Sequence, residues 1–401
     1  MLTDVRLFNR LSLLILTVFV MVGISSCDNV QEHDAPSLVD PNATEQTRNL
    51  YRNLLNNASE SVMFGHQATL SYGVKWRSEE LPEGEKRSDV KDVAGSYPAI
   101  YGWDIADFLR AEYDQEEIEQ RIDQSLEWAK FGFERGGILT YCWHKSNPVT
   151  GGSFYDTTKA VSDILPGGEF HQDFKDNLDI AADYFNQLNP IPVIFRPWHE
   201  HNGDWFWWGK GHAEEDEFIE LWQFTVEYLR DEKQVNNLLY AFSPDRSRTD
   251  IETFKEDYMY GYPGDEYVDI IGIDNYWDLG HEANETPPDE QFEHFKRSLA
   301  YTVEIANEKN KLAALTETGL EAIPDETFWT DRMLEALLTD EKTRQISYFQ
   351  VWRNSNMETD RQDHYYAPYP GQKSAENFIE FREHPFVWFE DELPDMYMSP
   401  E

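Results

Sequence analysis

The amino-acid sequence predicts an α/β fold of the (β/α)8 TIM-barrel kind. Three observations carry this reading: eight short apolar, β-branched runs, the continuous apolar character of those runs, and longer amphipathic stretches between them. Strands without a polar face belong to a parallel sheet covered on both sides by helices. Eight such units over about 340 residues fit a closed barrel with enlarged loops better than an open sheet.

Taken in order, the first run is Val62 to His66 and the second Ala99 to Asp104. The stretch Glu116 to Glu134 then sets Ile118, Ile122, Leu126, Ala129 and Phe133 at helical spacing, with charges between them. Gly136-Gly137 stops that helix before the third run, Gly137 to Trp143, and Asn189-Pro190 stops the helical stretch Gln172 to Gln187 before the fourth, Ile191 to Pro197. The helical pattern Asp216 to Lys233 leads to the runs Leu238 to Ser243 and Val268 to Tyr276. Asp289 to Lys309 precedes Leu312 to Thr316, and Glu326 to Thr343 precedes Ile346 to Trp352. No Gly-rich phosphate loop follows any run, and no repeat of about 20–50 residues is visible.

Composition narrows the function classes. Of 401 residues, 40% are apolar and 14% aromatic, which excludes disorder throughout. The 34 basic and 76 acidic side chains give a net charge of −42, a surface that repels phosphate backbones and anionic headgroups. No nucleic-acid partner is expected. At the start, Arg6 and Arg10 precede the apolar run Leu11 to Ile24, too short for the roughly 20 residues of a membrane span. Residues 1–26 are therefore expected to be a secretion signal, and Gly23-Ile24-Ser25-Ser26-Cys27 resembles a bacterial lipobox whose cysteine is acylated. Residues 27–40 read as a polar tether and 41–401 as one catalytic barrel domain, secreted and held to a bacterial membrane, at the cell surface or on the periplasmic side, only through that lipid. Cys142 is the one other cysteine, so a lipidated Cys27 leaves no intramolecular disulfide. A monomer is expected.

In such barrels the chemistry sits where strands end at their C-terminal side. The ends here are His66-Gln67, Trp103-Asp104, Trp143-His144, Trp198-His199-Glu200, Pro244-Asp245, Asp274-Asn275-Tyr276-Trp277, Glu317 and Trp352-Arg353. All eight are polar, ionisable or aromatic. Two carboxylates from different strands, Glu200 and Glu317, meet the need of glycoside hydrolysis for one acid and one attacking or water-activating carboxylate. Aromatic rings suit the C–H faces of sugars and polar groups suit their hydroxyl edges. Of Trp205, Phe206, Trp207 and Trp208 at least two are expected in the core, since alternating side chains cannot all face one ligand. No Cys-rich or His-rich metal set stands out, and no cofactor is expected.

These strings resemble glycoside hydrolase family 26, a family of (β/α)8 retaining glycosidases best known for β-mannanases. The resemblance covers about Leu50 to Pro385 and rests on Phe64-Gly65-His66-Gln67, Tyr101-Gly102-Trp103-Asp104, Arg196-Pro197-Trp198-His199-Glu200 with Trp205-Phe206-Trp207-Trp208-Gly209, Ile273-Asp274-Asn275-Tyr276, Thr316-Glu317 and Trp352-Arg353. It implies Glu200 as acid/base and Glu317 as nucleophile, His199 and Trp205 beside the sugar being cleaved, and Tyr276 bonded to the nucleophile. It further implies Trp352 as the floor of that subsite, and His144 and Arg353 at the next sugar towards the non-reducing end. Asp274 is expected in the same polar network and Arg196 as a buried orienter of the carboxylates. Such a nucleophile needs donors to keep it ionised, and such an acid needs burial and nearby negative charge to keep its proton. The expected substrate is a mannan-type polysaccharide or manno-oligosaccharide, because His144 and Arg353 are both present. Mixed-linkage β-glucan, β-1,3-xylan and a non-catalytic sugar-binding role stay open, as does endo action against mannobiose release.

Overall fold

The structure, a computed structural model, describes residues 37–400. The expected signal segment and Cys27 lie outside the described residues. Eight parallel strands pair in chain order: β1 (Val62–Gln67), β2 (Ile100–Asp104), β3 (Ile138–Cys142), β4 (Val193–Arg196), β5 (Leu238–Phe242), β6 (Ile270–Asn275), β7 (Leu312–Thr318) and β8 (Ile346–Val351). Strand β1 sets Met63 against Tyr348 of β8 and Gly65 against Ile100 of β2, so the sheet closes into a barrel. Each strand falls on one of the eight expected runs.

The helices form the outer layer, and their ends have local causes. Asp114 caps Gln115–Glu134 in a capping box with Glu117. Pro288–Lys309 opens on a proline and ends at Asn310 in the left-handed conformation. The expected helix Asp216 to Lys233 is present as Glu215–Glu227 with a wider π turn, Tyr228–Glu232. The expected Glu326 to Thr343 helix is shorter, Trp329–Leu334 continuing into Glu335–Leu337. Asp340 stops it, because its carboxylate accepts the Lys342 and Thr343 backbone N–H groups and replaces helical bonds. Among the described residues no helix is long and apolar enough to cross a membrane.

Alternation sorts the core into two parts. Val62, Phe64, Leu139, Tyr141, Val193, Phe195, Tyr240, Phe242, Ile271 and Ile273 face the helices. Met63, Ile100, Ile138, Ile194, Leu239, Ala241, Ile270, Leu312, Ala314 and Tyr348 fill the barrel, whose lower mouth is plugged by Leu50, Tyr51 and Leu54 of the helix Glu45–Asn57. That helix was not among the expected elements. The folded domain also starts earlier than residue 41: Val39 is buried and donates its N–H to Asp269 Oδ1 at 2.8 Å, and Asp40 accepts from Asn236 at 2.8 Å. A buried aspartate on the barrel thus draws in the end of the expected tether.

Gly272 in β6 leaves room for its neighbour. A Cβ there would meet Thr316 Cγ2 at 2.6 Å and Oγ1 at 2.7 Å, and Thr316 is β-branched and cannot swing away. Gly272→Ala is expected to lower stability by about 1–3 kcal/mol, the range for overpacking a filled core, measured by urea unfolding.

Candidate active site

A cavity of 1490 Å³ opens over the C-terminal ends of the strands. Every strand, or the residues just beyond it, contributes to its wall: Gln67, Asp104, His144, Glu200, Asp245, Tyr276, Glu317 and Trp352 in chain order. This is the rim on which the sequence gathers its unusual side chains.

Under the rim, Arg196 is the last inward residue of β4 and is buried. Its guanidinium donates to Asp274 Oδ2 at 2.8 Å and Ser243 Oγ at 3.1 Å, and also to Glu317 Oε1. Tyr276 donates its phenol to the other Glu317 oxygen at 2.9 Å. Thr316 donates to Asp274 Oδ1 at 2.6 Å. Thr316 and Glu317 are consecutive, yet both engage this interior network. A register shift between Ile273–Leu315 and Asp274–Glu317 explains it, because an extra residue in a strand re-aims the side chain that follows.

Glu200 reaches the cavity by a different device. The chain leaving β4 takes positive φ at Trp198 (51°) and at Glu200 (53°), a conformation that costs an L-residue of order 1–2 kcal/mol. Its surroundings hold it there. Trp198 is buried with its indole on Thr225 Oγ1 at 3.0 Å, Glu200 N–H donates to Ser243 O at 2.8 Å, and Trp208 donates to His199 O at 2.9 Å. Trp205, half-buried at the cavity edge, donates its indole N–H to Glu200 Oε2 at 2.8 Å.

Single carboxylate oxygens of Glu200, Asp274 and Glu317 lie within 4.8 Å of one another. One guanidinium serves Asp274 and Glu317, so a third ionised carboxylate would be uncompensated. Burial, followed by the charges of Asp245, Asp274 and Glu317, pushes Glu200 well above the usual carboxylate range, against the pull of the Trp205 N–H. The pair is thereby divided into a proton-holding Glu200 and a Glu317 surrounded by donors. Arg196→Met is expected to cost about 3–5 kcal/mol of stability by urea unfolding, since it strands two buried carboxylates.

The remaining expected site residues line the same wall. His144 Nδ1 lies 2.7 Å from Asp104 Oδ2, and its Nε2 lies 3.1 Å from His199 Nε2. Burial would raise Asp104, but the His144 ring and the N–H groups of Ala106 and His144 hold it low. Burial, with Arg196 nearby, drives His199 well below the usual imidazole range, so this ring is neutral. Trp352 stands edge-to-face with His144 at 5.7 Å. Arg353 is turned along the wall, over the Tyr72 ring at 5.6 Å and bonded to Asp360 at 2.9 Å. Trp207 and Trp208 are fully buried, Trp207 donating to Lys145 O at 2.8 Å, whereas Trp205 and Phe206 border the cavity.

Beyond Arg353 two long loops meet. Asn354 donates to Asp89 at 2.9 Å, Met357 N–H to Val74 O at 3.0 Å, and Arg77 to Thr359 at 2.9 Å, making one wall across that end. Asp104, Asp245 and Gln67 appear in the sequence as strand ends without a role, and the structure puts all three on the wall. Tyr72, in a two-residue strand, and Tyr155, in a loop, carry no sequence signal, since neither belongs to a periodic run. Tyr155 is 62% exposed and stacks on Phe206 at 5.7 Å.

Two clusters bring three donor atoms close enough to suggest a cation. For Glu200, Asp274 and Glu317 the Arg196 guanidinium already supplies that charge. In Asp104, Cys142 and His144, burial pushes the Cys142 thiol well up, away from the thiolate a metal requires.

Comparison with known proteins agrees with this geometry. The model of glycosyl hydrolase family 26 matches residues 39–367. A mannan endo-1,4-beta-mannosidase of Bifidobacterium adolescentis is 35% identical over 294 residues, 71% of this chain and 28% of that protein. Another, of Bacillus subtilis, is 27% identical over 69% of this chain and 76% of its own length. A third, from Caldalkalibacillus mannanilyticus, is 30% identical and is covered over 47% of its length, so the chain spans less than half of two of these relatives. Among solved structures, a GH26 beta-mannanase from Bacteroides ovatus superimposes with a TM-score of 0.76 at 34% identity, over 88% of this chain and 98% of that one. A modular endo-beta-1,4-mannanase from Cellulomonas fimi gives 0.78 at 33%, over 90% and 79%. With the family match spanning most of the described residues and the barrel carrying its two carboxylates at the ends of β4 and β7, this chain belongs to glycosyl hydrolase family 26.

Proposed function

We propose that this protein is a retaining β-mannanase that hydrolyses β-1,4-mannosidic linkages in mannan, galactomannan or glucomannan. The observation that carries the reading is the Glu200–Glu317 pair: oxygens within 4.8 Å, one carboxyl holding its proton and the other lodged among Arg196 and Tyr276. Retaining enzymes keep the two carboxyl groups about 5–5.5 Å apart, whereas inverting enzymes need about 6.5–9.5 Å for a water between them.

In the first step Glu317 attacks the anomeric carbon while Glu200 gives its proton to the departing glycosidic oxygen. A covalent glycosyl-enzyme forms and the shortened chain leaves as an alcohol. In the second step Glu200, now a carboxylate, takes a proton from water as that water attacks the same carbon, and Glu317 departs. Both displacements invert, so the product keeps the β configuration. His199, Trp205 and Trp352 surround the sugar being cleaved, and His144 and Arg353 lie towards the next one. Asp274 anchors Arg196 below.

The mannan backbone is supported by the names of the relatives and by His144 and Arg353 on the wall. The joined loops beyond Arg353 support short products such as mannobiose. Reducing-sugar release from locust-bean gum, lichenan and β-1,3-xylan in parallel tests the backbone, and a product time course from mannohexaose tests the mode of attack. An inverted product anomer by NMR, or release from lichenan or xylan alone, refutes the reading. We also propose that Cys27 carries a lipid anchor. Labelled palmitate is expected in the native protein and not in Cys27→Ala, and protease shaving of intact cells separates surface display from a periplasmic site.

A further inference from the structure

The turn that carries Glu200 is fastened to the turn after β5 at three points. Glu200 N–H donates to Ser243 O at 2.8 Å, Asp245 N–H donates to Asn202 Oδ1 at 2.7 Å, and Asn202 Nδ2 donates back to Asp245 O at 2.7 Å. Asn202 is buried, so this amide clamp is shielded from solvent and fixes the Asp245 backbone relative to Glu200. The Asp245 side chain is held in turn: the Ser247 N–H donates to its Oδ1 at 2.7 Å, and the Ser247 hydroxyl donates to the same oxygen. Among the described residues no protein group donates to Asp245 Oδ2, and Asp245 lines the same cavity as Glu200.

The cations nearest in sequence are engaged elsewhere. Arg246 pairs with Asp278 at 2.8 Å, and Arg248 pairs with Asp204 at 2.5 Å while lying over the Trp205 ring at 5.1 Å. The other groups facing Glu200 are the Trp205 indole N–H on its own loop, Asp274 and the Tyr276 phenol from the end of β6, Glu317 of β7, and Tyr155 from the loop after β3. Asp274 and Glu317 share the Arg196 guanidinium. Asp245 has no ion pair among the described residues, and the charges of Arg248 and Arg246 reach it only from beyond contact distance. From this arrangement we propose that Asp245 is a positioning residue for the acid/base, a fixed negative charge that keeps the proton on Glu200 until the leaving oxygen takes it.

This inference rests on the reading of Glu200 as acid/base. The charge balance agrees with it: after burial, Asp245 leads the charges that raise Glu200. Asp245 itself is held up to about 6 by burial, against the Ser247 bonds and the charges of Arg248 and Arg246, so above that pH it is the ionised partner while Glu200 keeps its proton.

The test uses Asp245→Asn, which keeps an Oδ1 acceptor for Ser247 and removes the charge. The alkaline limb of kcat/KM reports loss of the Glu200 proton in the free enzyme. Lowering the Glu200 pKa moves that limb down, by about one pH unit or more on locust-bean gum, the size of shift a nearby charge produces. Asp245→Glu restores the limb. With 2,4-dinitrophenyl β-mannobioside, whose leaving group needs no proton, the variant and native profiles coincide on that side. An unmoved limb with an even fall in kcat at all pH values indicates a merely structural residue and overturns the proposal. Should Asp245→Asn melt below the assay temperature, Asp245→Ser gives the same readout. If the native protein cleaves none of the glycans, the catalytic reading fails. If it is active and the limb stays in place, only this inference fails.

Discussion

Glu317→Ala is expected to lower kcat on mannan by at least about 10⁴-fold while the protein stays folded, because no other group can form the covalent intermediate. Folding survives the change because Arg196 keeps its bond to Asp274 at 2.8 Å and its charge is not stranded. The cavity left beside Tyr276 admits a small anion. Azide placed there attacks the face that Glu317 vacates and yields the α-glycosyl azide, with turnover partly restored on an activated aryl mannobioside. Kinetics with and without azide, NMR of the product and a thermal melt check the prediction. Full activity in Glu317→Ala, or a β-azide product, removes Glu317 from the role of nucleophile.

Glu200→Ala has a second large effect with a different signature. On polysaccharide the loss is about 10²–10⁴-fold, the range for general acid catalysis, because the sugar oxygen must leave unprotonated. On a dinitrophenyl substrate the first step is nearly unaffected and the second becomes limiting, since no base activates water. Azide needs no base, so it releases the intermediate and gives the β-glycosyl azide. A pre-steady-state burst followed by slow turnover, abolished by azide, is the expected trace. The stability cost is about 1 kcal/mol, set by the Trp205 N–H that loses its acceptor. Equal losses on both substrates contradict the acid/base role.

Much of this arrangement was legible along the chain, for a local reason. Apolar runs such as Ile191 to Pro197 and Val268 to Tyr276 fix by composition alone the positions of the strands Val193–Arg196 and Ile270–Asn275. The residues that end them, from Gln67 to Trp352, fall on one rim because a parallel barrel points every C-terminal end the same way. The helix Glu45–Asn57 lies before the first strand, outside the strand–helix alternation that marks a barrel, although Leu50, Tyr51 and Leu54 stand at helical spacing on its buried face. Asn49 and Asn53 are there to hold the chain end, donating to Tyr397 O at 3.0 Å and Met396 O at 2.9 Å.

The sequence by itself determined the barrel and the order of its strands, and it pointed to Glu200 and Glu317 at the ends of β4 and β7. Their relation was decided only in three dimensions. Alternation would place Thr316 and Glu317 on opposite faces, and the register shift against β6 brings both into one network, Glu317 on Arg196 and Thr316 on Asp274. The positive φ of Glu200 likewise depends on Ser243, distant in the chain, and on Trp208 of the loop that follows. Periodicity reports which face a residue takes relative to its neighbours in sequence. The proton on Glu200 depends on which charges stand across the cavity, and those come from strands that meet only when the barrel closes.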